Sequence, residues 1–586
     1  MDAAASSQRF ARVDEVVYQS GPSSGSRGIR VQVYKHADSD LRVVVCNSSQ
    51  PLFTVNIYVP TLPPNDKGLP HTLEHLVFCG SKRFPDRGYL DTLANCNLAQ
   101  GTNAWTARDH TCYTISAASE QAVASVLPAF LDHVLCPLLR DDHFVNEVYH
   151  YDDAGREQGV VFSEILGIEN DEYELSSFAL DRLLYSDGPG YGCSSGGLTR
   201  DIATLSNDEI IDYHRRFYDA NNVTVVLTGP FSEQFARETL ESIPTDIIQS
   251  NGCDTRSPVD CPASSTGEAR SSRVPFPSPD TDMGSVMVGW RGPPAEDVET
   301  LLALDILLGY LAGDPSSPLC QRFVERPCPL ANEIDVYTNG YIHAAVTMNF
   351  CGIPHPSGGD AAEADGGCDD DCDDDHDHGN YSGGSDCGSV CSHGGEDPDV
   401  PHLFDDDYFK DLLLGELRRI HASQFDGDAR ALEEAAQKHI QRVALEMEDD
   451  PSEAINALLC LDIVASHFSP GRQGQFSIGS RAQMFDTMAE LGRRPVQFWL
   501  DLLEKWLIDA PLYHVVMVPD SELGSKLDDE CRAIEQANEA KIADKDAHRQ
   551  RIAQAVASQA IDLPSELKLA MPQADPLQAV YLPHEL

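Results

Sequence analysis

Two stretches of the chain share one plan. "FTVNIYVPTLPPNDKGLPHTLEHLVFCG" (53–80) and "GSVMVGWRGPPAEDVETLLALDILLGYLAG" (284–313) each run from a β-branched strand through a Pro-Pro turn into an apolar helix. A unit repeated at this distance predicts a duplicated fold. At 586 residues the chain is also too long for one ordinary core, so two α+β units, each with its own buried surface, are expected.

The strands that open the first unit are legible from Arg30 to Pro60. "RVQVYKH", "LRVVVCN" and "LFTVNIYVP" are short β-branched runs separated by polar turn residues. Helical spacing follows from Pro70 to Phe78, closing at Gly80, then in "EQAVASVLPAFLDHVL" and from about Ala154 to Tyr173. Residues 251–275 are rich in Ser, Pro, Gly and charge, and read as a linker. The expected organisation is therefore a tail (1–24), a first α+β domain (25–250), that linker, and a second homologous domain (276–521). Within the second domain, residues 355–402 form an acidic insertion; the stretch 358–400 carries 14 acidic residues and no Lys or Arg. Such a segment cannot bury enough apolar surface to pack, and disorder is expected of it. Residues 522–586 read as a helical connector.

A formal charge of −52 argues against nucleic acid, whose phosphates would be repelled. No stretch approaches the roughly 18 apolar residues of a membrane span, so no membrane partner is expected. The N-terminus has no long apolar core, and Asp2, Asp14 and Glu15 do not suit a presequence, so the expected location is cytoplasmic, with mitochondrial as the alternative. Seventeen cysteines scattered among apolar runs suggest reduced thiols in a reducing compartment.

"HTLEH" (71–75) carries the chemistry. On a helix His71 and His75 lie one turn apart and can offer two imidazoles to one cation, with Glu74 beside them. The order H-x-x-E-H inverts the commoner H-E-x-x-H zinc motif. Chance produces such a match in roughly a few per cent of chains of this length, and a third ligand is required. "GREQGVVFSEILGIENDEYE" reads as a distal acidic helix on which Glu157 and Glu164, seven apart, share a face. Glu164 lies amid Val160, Val161, Phe162, Ile165 and Leu166, a costly place for a carboxylate without a cation. The second unit has no counterpart of this motif, so only the first is equipped for a metal. His110 and His150 have no partner at ligand spacing and are expected in surface or capping roles. In the insertion, Cys368, Cys372, His376, His378, Cys387, Cys391 and His393 could hold a soft metal, but a Gly/Asp tract imposes no geometry on them, and solvated disorder is the expectation.

"HTLEHLVFCGSKRFP", "AQGTNAWTARDHTCYT" and "GVVFSEILG", with "VGWRGP" and "PLYHVVMVP" further on, resemble the pitrilysin/insulin-degrading-enzyme family of inverzincin zinc metallopeptidases, in its presequence-protease-like branch. The resemblance covers the N-terminal half of that family. It implies two mitochondrial-processing-peptidase-like domains, each a mainly antiparallel sheet packed with helices. It also implies one zinc per chain, held by His71, His75 and Glu164, with Glu74 as general base and Glu157 as an acid supporting the ligands from behind. Asn103, Ala104, Trp105 and Thr106 match the edge strand on which an extended substrate adds by backbone pairing. The implied reaction is hydrolysis of peptide bonds in unfolded peptides by zinc-activated water, and the implied partners are peptide substrates.

Family members carry four such domains in two halves, and only two are present here. The chain is therefore expected to need a C-terminal half or second subunit. The alternatives are a non-catalytic scaffold and a half-enzyme subunit of a two-chain, processing-peptidase-like complex. A metal-buffering role for the insertion is a third reading.

Overall fold

The computed structural model describes residues 9–22, 28–185, 190–250, 269–355, 402–405, 407–427, 429–468, 476–558 and 563–572. The first sheet is built from β1 (Phe10–Tyr18), β2 (Ile29–His36), β3 (Arg42–Asn47), β4 (Phe53–Pro60), β5 (Asn103–Thr106), β6 (His110–Ala117) and β9 (Thr224–Gly229). A separate two-stranded ribbon pairs β7 (His150–Tyr151) with β8 (Glu157–Gln158). The second sheet holds β10 (Ser271–Pro277), β11 (Met283–Pro294), β12 (Glu333–Asn339), β13 (His343–Pro354) and β14 (Tyr513–Asp520).

The duplication is written in the strand order. The first sheet runs β1-β2-β3-β9-β4-β6-β5, and the second runs β10-β14-β11-β13-β12. In the first, β3 pairs parallel with β9, followed by antiparallel β9-β4, β4-β6 and β6-β5. The second repeats the series: parallel β10-β14, then antiparallel β14-β11, β11-β13 and β13-β12. Both units are mainly antiparallel sheets packed with helices, as the repeat in sequence predicts. Strand β4 is buried at all eight positions because both faces of its sheet are covered.

What covers them is an exchange. One face of each sheet packs on its own helices. The other face of the first sheet, at Tyr58, Cys112 and Val226, takes Ile455, Leu459 and Ile463 from the helix Pro451–Phe468. In return, the helix Glu172–Tyr185 lays Leu180 and Leu184 beside Met287, Val515 and Met517 of the second sheet. Each unit thus completes the other's core, and area removed from water at both seams holds them in register.

Several expectations are corrected. Phe10–Tyr18, assigned to a tail, pairs with β2 as an edge strand of the first sheet. Ser271–Pro277, partly assigned to the linker, is β10; residues 251–268 lie outside the described set. The helix expected from about 154 to 173 is broken. Gly159, at φ 139°, ends β8 and lets a new helix, Val160–Ile168, begin, and Glu172–Tyr185 forms another. An added Cβ at Gly159 would stand 2.2 Å from the Val148 carbonyl oxygen, so the break needs glycine. The acidic insertion falls almost wholly on 356–401, outside the described residues. Beyond residue 522, helices Leu523–Lys541 and Lys545–Ser558 fold back on the first unit: His548 stacks on Tyr151 and donates from Nε2 to its carbonyl at 2.8 Å. Leu563 and Met571 join the first core.

Candidate metal centre

The HTLEH motif occupies the helix Leu69–Val77, one residue away from the expected bounds at each end. Gly68 at φ 68° caps it, Pro70 sits in its first turn, and Leu69, Leu73, Leu76 and Val77 are buried in the first core. That burial orients the remaining face. His71 and His75 stand edge to face, ring centres 4.8 Å apart, above the cleft.

Glu164, on the helix Val160–Ile168, closes over both rings. Its Oε1 is 3.6 Å from His71 Nε2 and its Oε2 3.4 Å from His75 Nε2. Three donors bound tetrahedrally at about 2.0–2.1 Å must lie about 3.3–3.4 Å from one another. The two separations from Glu164 lie close to the sides of that triangle. Donor atoms of His71, Glu74 and His75 also cluster within 4.8 Å, so Glu74 competes for the third place. Hydrogen bonding separates the two carboxylates: Glu74 Oε2 accepts from the Thr106 hydroxyl at 2.5 Å, whereas Glu164 faces both imidazoles. The residues present fit a zinc ion held by His71, His75 and Glu164, with Glu74 beside it.

Electrostatics agree with that division. Burial, reinforced by the neighbouring His75 ring, pushes His71 down to about 4, leaving the neutral imidazole a metal requires. Burial lifts Glu74 up to about 7 although the Thr106 hydroxyl pulls the other way, so near neutrality the carboxyl both takes and gives a proton.

Glu164 itself is half exposed, which overturns the reason first given for its importance. Its helix leaves Val160, Leu166 and Ile168 open, so no apolar burial penalises the carboxylate. Glu157 is also placed differently. It lies on β8, off the Glu164 helix, and accepts a hydrogen bond from Tyr149 Oη at 2.5 Å. The acid found behind the histidines is Glu147, which the sequence reading missed. It is 5 % exposed, takes the Arg87 guanidinium at 2.5 Å, and has Oε2 4.0 Å from His75 Nδ1.

Asn103–Thr106 forms β5, the outermost strand, paired with β6 on one side only. Its open edge borders the histidines, and Thr106 reaches Glu74 directly. Two hollows meet there. One, about 520 Å³, is lined by Ile165, Ile168, Leu175, Phe178 and Tyr341; the other, about 460 Å³, by Arg87, Asp91, Thr102 and Glu147.

His110, expected at the surface, is buried: Asp109 and Cys460 flank it, and Trp105 Nε1 approaches its Nε2 at 3.3 Å. His150 meets the Val145 carbonyl oxygen at 2.6 Å, a capping contact. Every described cysteine is free. The Cys and His residues of the insertion lie outside the described residues. Among the described residues no helix is long and apolar enough to cross a membrane.

Known proteins resemble this chain in sequence and in fold. The family model "Insulinase (Peptidase family M16)" matches residues 61–175, which include His71, Glu74, His75 and Glu164. "Peptidase M16 inactive domain" matches residues 204–342. An uncharacterized protein of Saccharomyces cerevisiae is 36% identical over 319 residues, 53% of this chain and 31% of the relative. The mitochondrial presequence protease of Schizosaccharomyces pombe is 29% identical over 205 residues, 34% of this chain and 21% of the relative. These matches thus span a third or less of the curated relatives' length. Among solved structures, a protease from Helicobacter pylori superposes with a TM-score of 0.58 at 16% identity, covering 82% of this chain and 98% of the other. The "peptidase M16 inactive domain" from Pseudomonas fluorescens gives 0.57 at 14%, covering 84% and 98%. These likenesses, joined to the inverted motif and the repeated sheets, establish that the chain belongs to the M16 (pitrilysin/insulinase) peptidase family, with presequence-protease-like relatives.

Proposed function

We propose that the chain is the zinc-binding half of a metalloendopeptidase acting on unfolded peptides. The observation that carries this is the convergence of His71 Nε2, His75 Nε2 and the Glu164 carboxylate, with Glu74 buried alongside. Bound there, zinc would supply Lewis acidity toward a carbonyl oxygen and toward water.

The chain's own residues do the rest. The open edge of β5 offers backbone N–H and C=O groups to an extended peptide, a mode tolerant of side-chain sequence. Such pairing lays the peptide backbone across the two hollows, past Glu74. Thr106 donates to Glu74 Oε2 and fixes the carboxyl, leaving Oε1 to accept a proton from the attacking water and pass it to the leaving amine. His71 and His75 would hold the metal, and Arg87 steadies Glu147 beside His75.

The half-enzyme alternative rests on the exposed apolar residues around the site, Trp105, Val160, Leu166 and Ile168, which a second half would cover. The family model named for an inactive domain matches residues 204–342, the end of the first unit and the start of the second, and contains none of the four site residues. We therefore infer peptide hydrolysis that depends on a C-terminal half or second subunit. The test is Glu74→Gln in the zinc-loaded chain, assayed with that half. Stoichiometric zinc with peptide cleavage lost supports the assignment; equal turnover by mutant and wild type removes Glu74 from it.

A further inference from the structure

Behind the cleft wall lies another cavity, of about 310 Å³. It forms where the helices Val298–Ala312, Ala429–Asp449 and Pro451–Phe468 meet the β12–β13 turn, and Tyr341 of that turn also lines the cleft. Its apolar lining includes Leu301, Leu302, Val443, Leu458 and Leu461.

Charges of both signs line this space, Asp305 and Glu446 against Arg442 and Arg481. Asp305, half-buried, accepts a hydrogen bond from the Thr338 hydroxyl at 2.6 Å. Arg442, itself exposed at the cavity mouth, gives one N–H to His439 Nδ1 at 2.9 Å and reaches the equally exposed Glu446 of the same lining only at 3.9 Å, a contact of small worth in water. Arg481, the other guanidinium in the lining, is committed to Asp462 at 3.0 Å and the Ala295 carbonyl at 2.9 Å. Among the described residues Asp305 and Arg442 form no ion pair with each other.

An anion and a cation held apart across an apolar hollow complement a molecule with the reverse charges at its ends. Asp305 and Thr338 would receive an ammonium group, Arg442 a carboxylate, and the leucines the apolar part between them. Burial already disfavours a bare carboxylate at Asp305, which an ammonium would relieve. The volume lies near the lower end of small-molecule pockets, about 300 Å³, too small for anything much longer than a dipeptide.

We propose that this cavity binds a short zwitterionic peptide with apolar side chains, such as a dipeptide. Its choice as a hydrolysis product rests on the peptidase reading above; the charge and shape of the site do not.

The probe is Leu-Leu, titrated calorimetrically into the full, chelator-treated chain. Saturable binding is expected, weakened roughly tenfold or more by Asp305→Asn or Arg442→Gln. N-acetyl-Leu-Leu and Leu-Leu amide, which delete each charge from the ligand with the protein untouched, should weaken it comparably. His71→Ala/His75→Ala should leave it unchanged. Absence of saturable binding, indifference to Asp305→Asn and Arg442→Gln, or loss in the histidine variant would each overturn the proposal, the last by placing the dipeptide in the cleft. No turnover is read, so failure of the chain to hydrolyse peptides would defeat the peptidase reading without touching this result.

Discussion

Gly68 is where the helix of the metal centre is most exposed to a single added carbon. It caps that helix at φ 68°, a left-handed conformation costing an L-residue about 1–2 kcal/mol. A Cβ there would stand 2.3 Å from the Gly196 carbonyl oxygen and 3.0 Å from the Gly197 Cα, both backbone atoms with no rotamer to yield. Restoring ordinary contact requires the two segments to part by about 1 Å, and overpacking of this kind costs about 1–3 kcal/mol more. Gly68→Ala should therefore lower unfolding free energy by about 2–5 kcal/mol. The displaced helix carries His71 three residues on, and metal sites tolerate about 0.5 Å of misplacement. Zinc affinity, measured by chelator competition, should fall by about 10–100-fold, and cleavage with it. The control is Gly167→Ala, whose added Cβ meets nothing within 4 Å; it should be neutral or stabilise by up to about 1 kcal/mol. If urea midpoints and zinc affinities of Gly68→Ala and wild type coincide, the close approach of these segments does not position the ligands.

Zinc occupancy should fall most in Glu164→Ala, about 10–100-fold in Glu147→Gln and least in Glu157→Ala; equal losses from Glu164→Ala and Glu157→Ala would show the ligand wrongly chosen. Arg481→Ala strands Asp462, whose carboxylate is 1 % exposed and also takes the Gly479 N–H, so it should destabilise by about 3–5 kcal/mol in denaturant melts; a change under about 1 kcal/mol would mean the ion pair is dispensable. Leu98, Trp105, Val160, Leu166, Ile168 and Tyr173 are all exposed large apolar residues of the first unit, so the chain alone should cleave peptides weakly and self-associate, gaining activity when a C-terminal half is supplied. Full activity from a strict monomer would refute that requirement.

How much of this could be read from sequence depended on whether the signal was local. The β-branched runs of β2 to β4 and the four-residue spacing of His71 and His75 are local, and each sits where its period puts it. β1 escaped notice because a register shift between Arg12 and Asp14 interrupts its alternation and five consecutive positions are exposed, so the strand reads as polar. Gly159 was a visible signal passed over: only its backbone freedom breaks what otherwise looks like continuous helical spacing, and the break takes Glu157 off the Glu164 face. Glu147 had no local signal at all. It is one acid in the charged run "DDHFVNEVYHYDD", brought to His75 by packing between distant helices.

The repeated unit also shows how one arrangement supports different chemistry. In both copies the strand next to the parallel pair, β4 or β11, leads through a Pro-Pro turn into a helix whose leucines fill the core beneath its sheet. The first helix is short and capped by glycine; once Leu69, Leu73, Leu76 and Val77 are buried, the histidines remain on the side where β5 ends. In the second, Ala303, Leu304, Leu307, Leu308 and Leu311 are buried instead, and the half-buried Leu301, Leu302 and Asp305 are left to line a hollow. The position of each site follows from which residues the core consumes. Its chemistry follows from those left over: in the first copy imidazoles that suit a cation, in the second a carboxylate facing a guanidinium across leucines. Tyr341, at the β12–β13 turn of the second sheet, forms part of both walls.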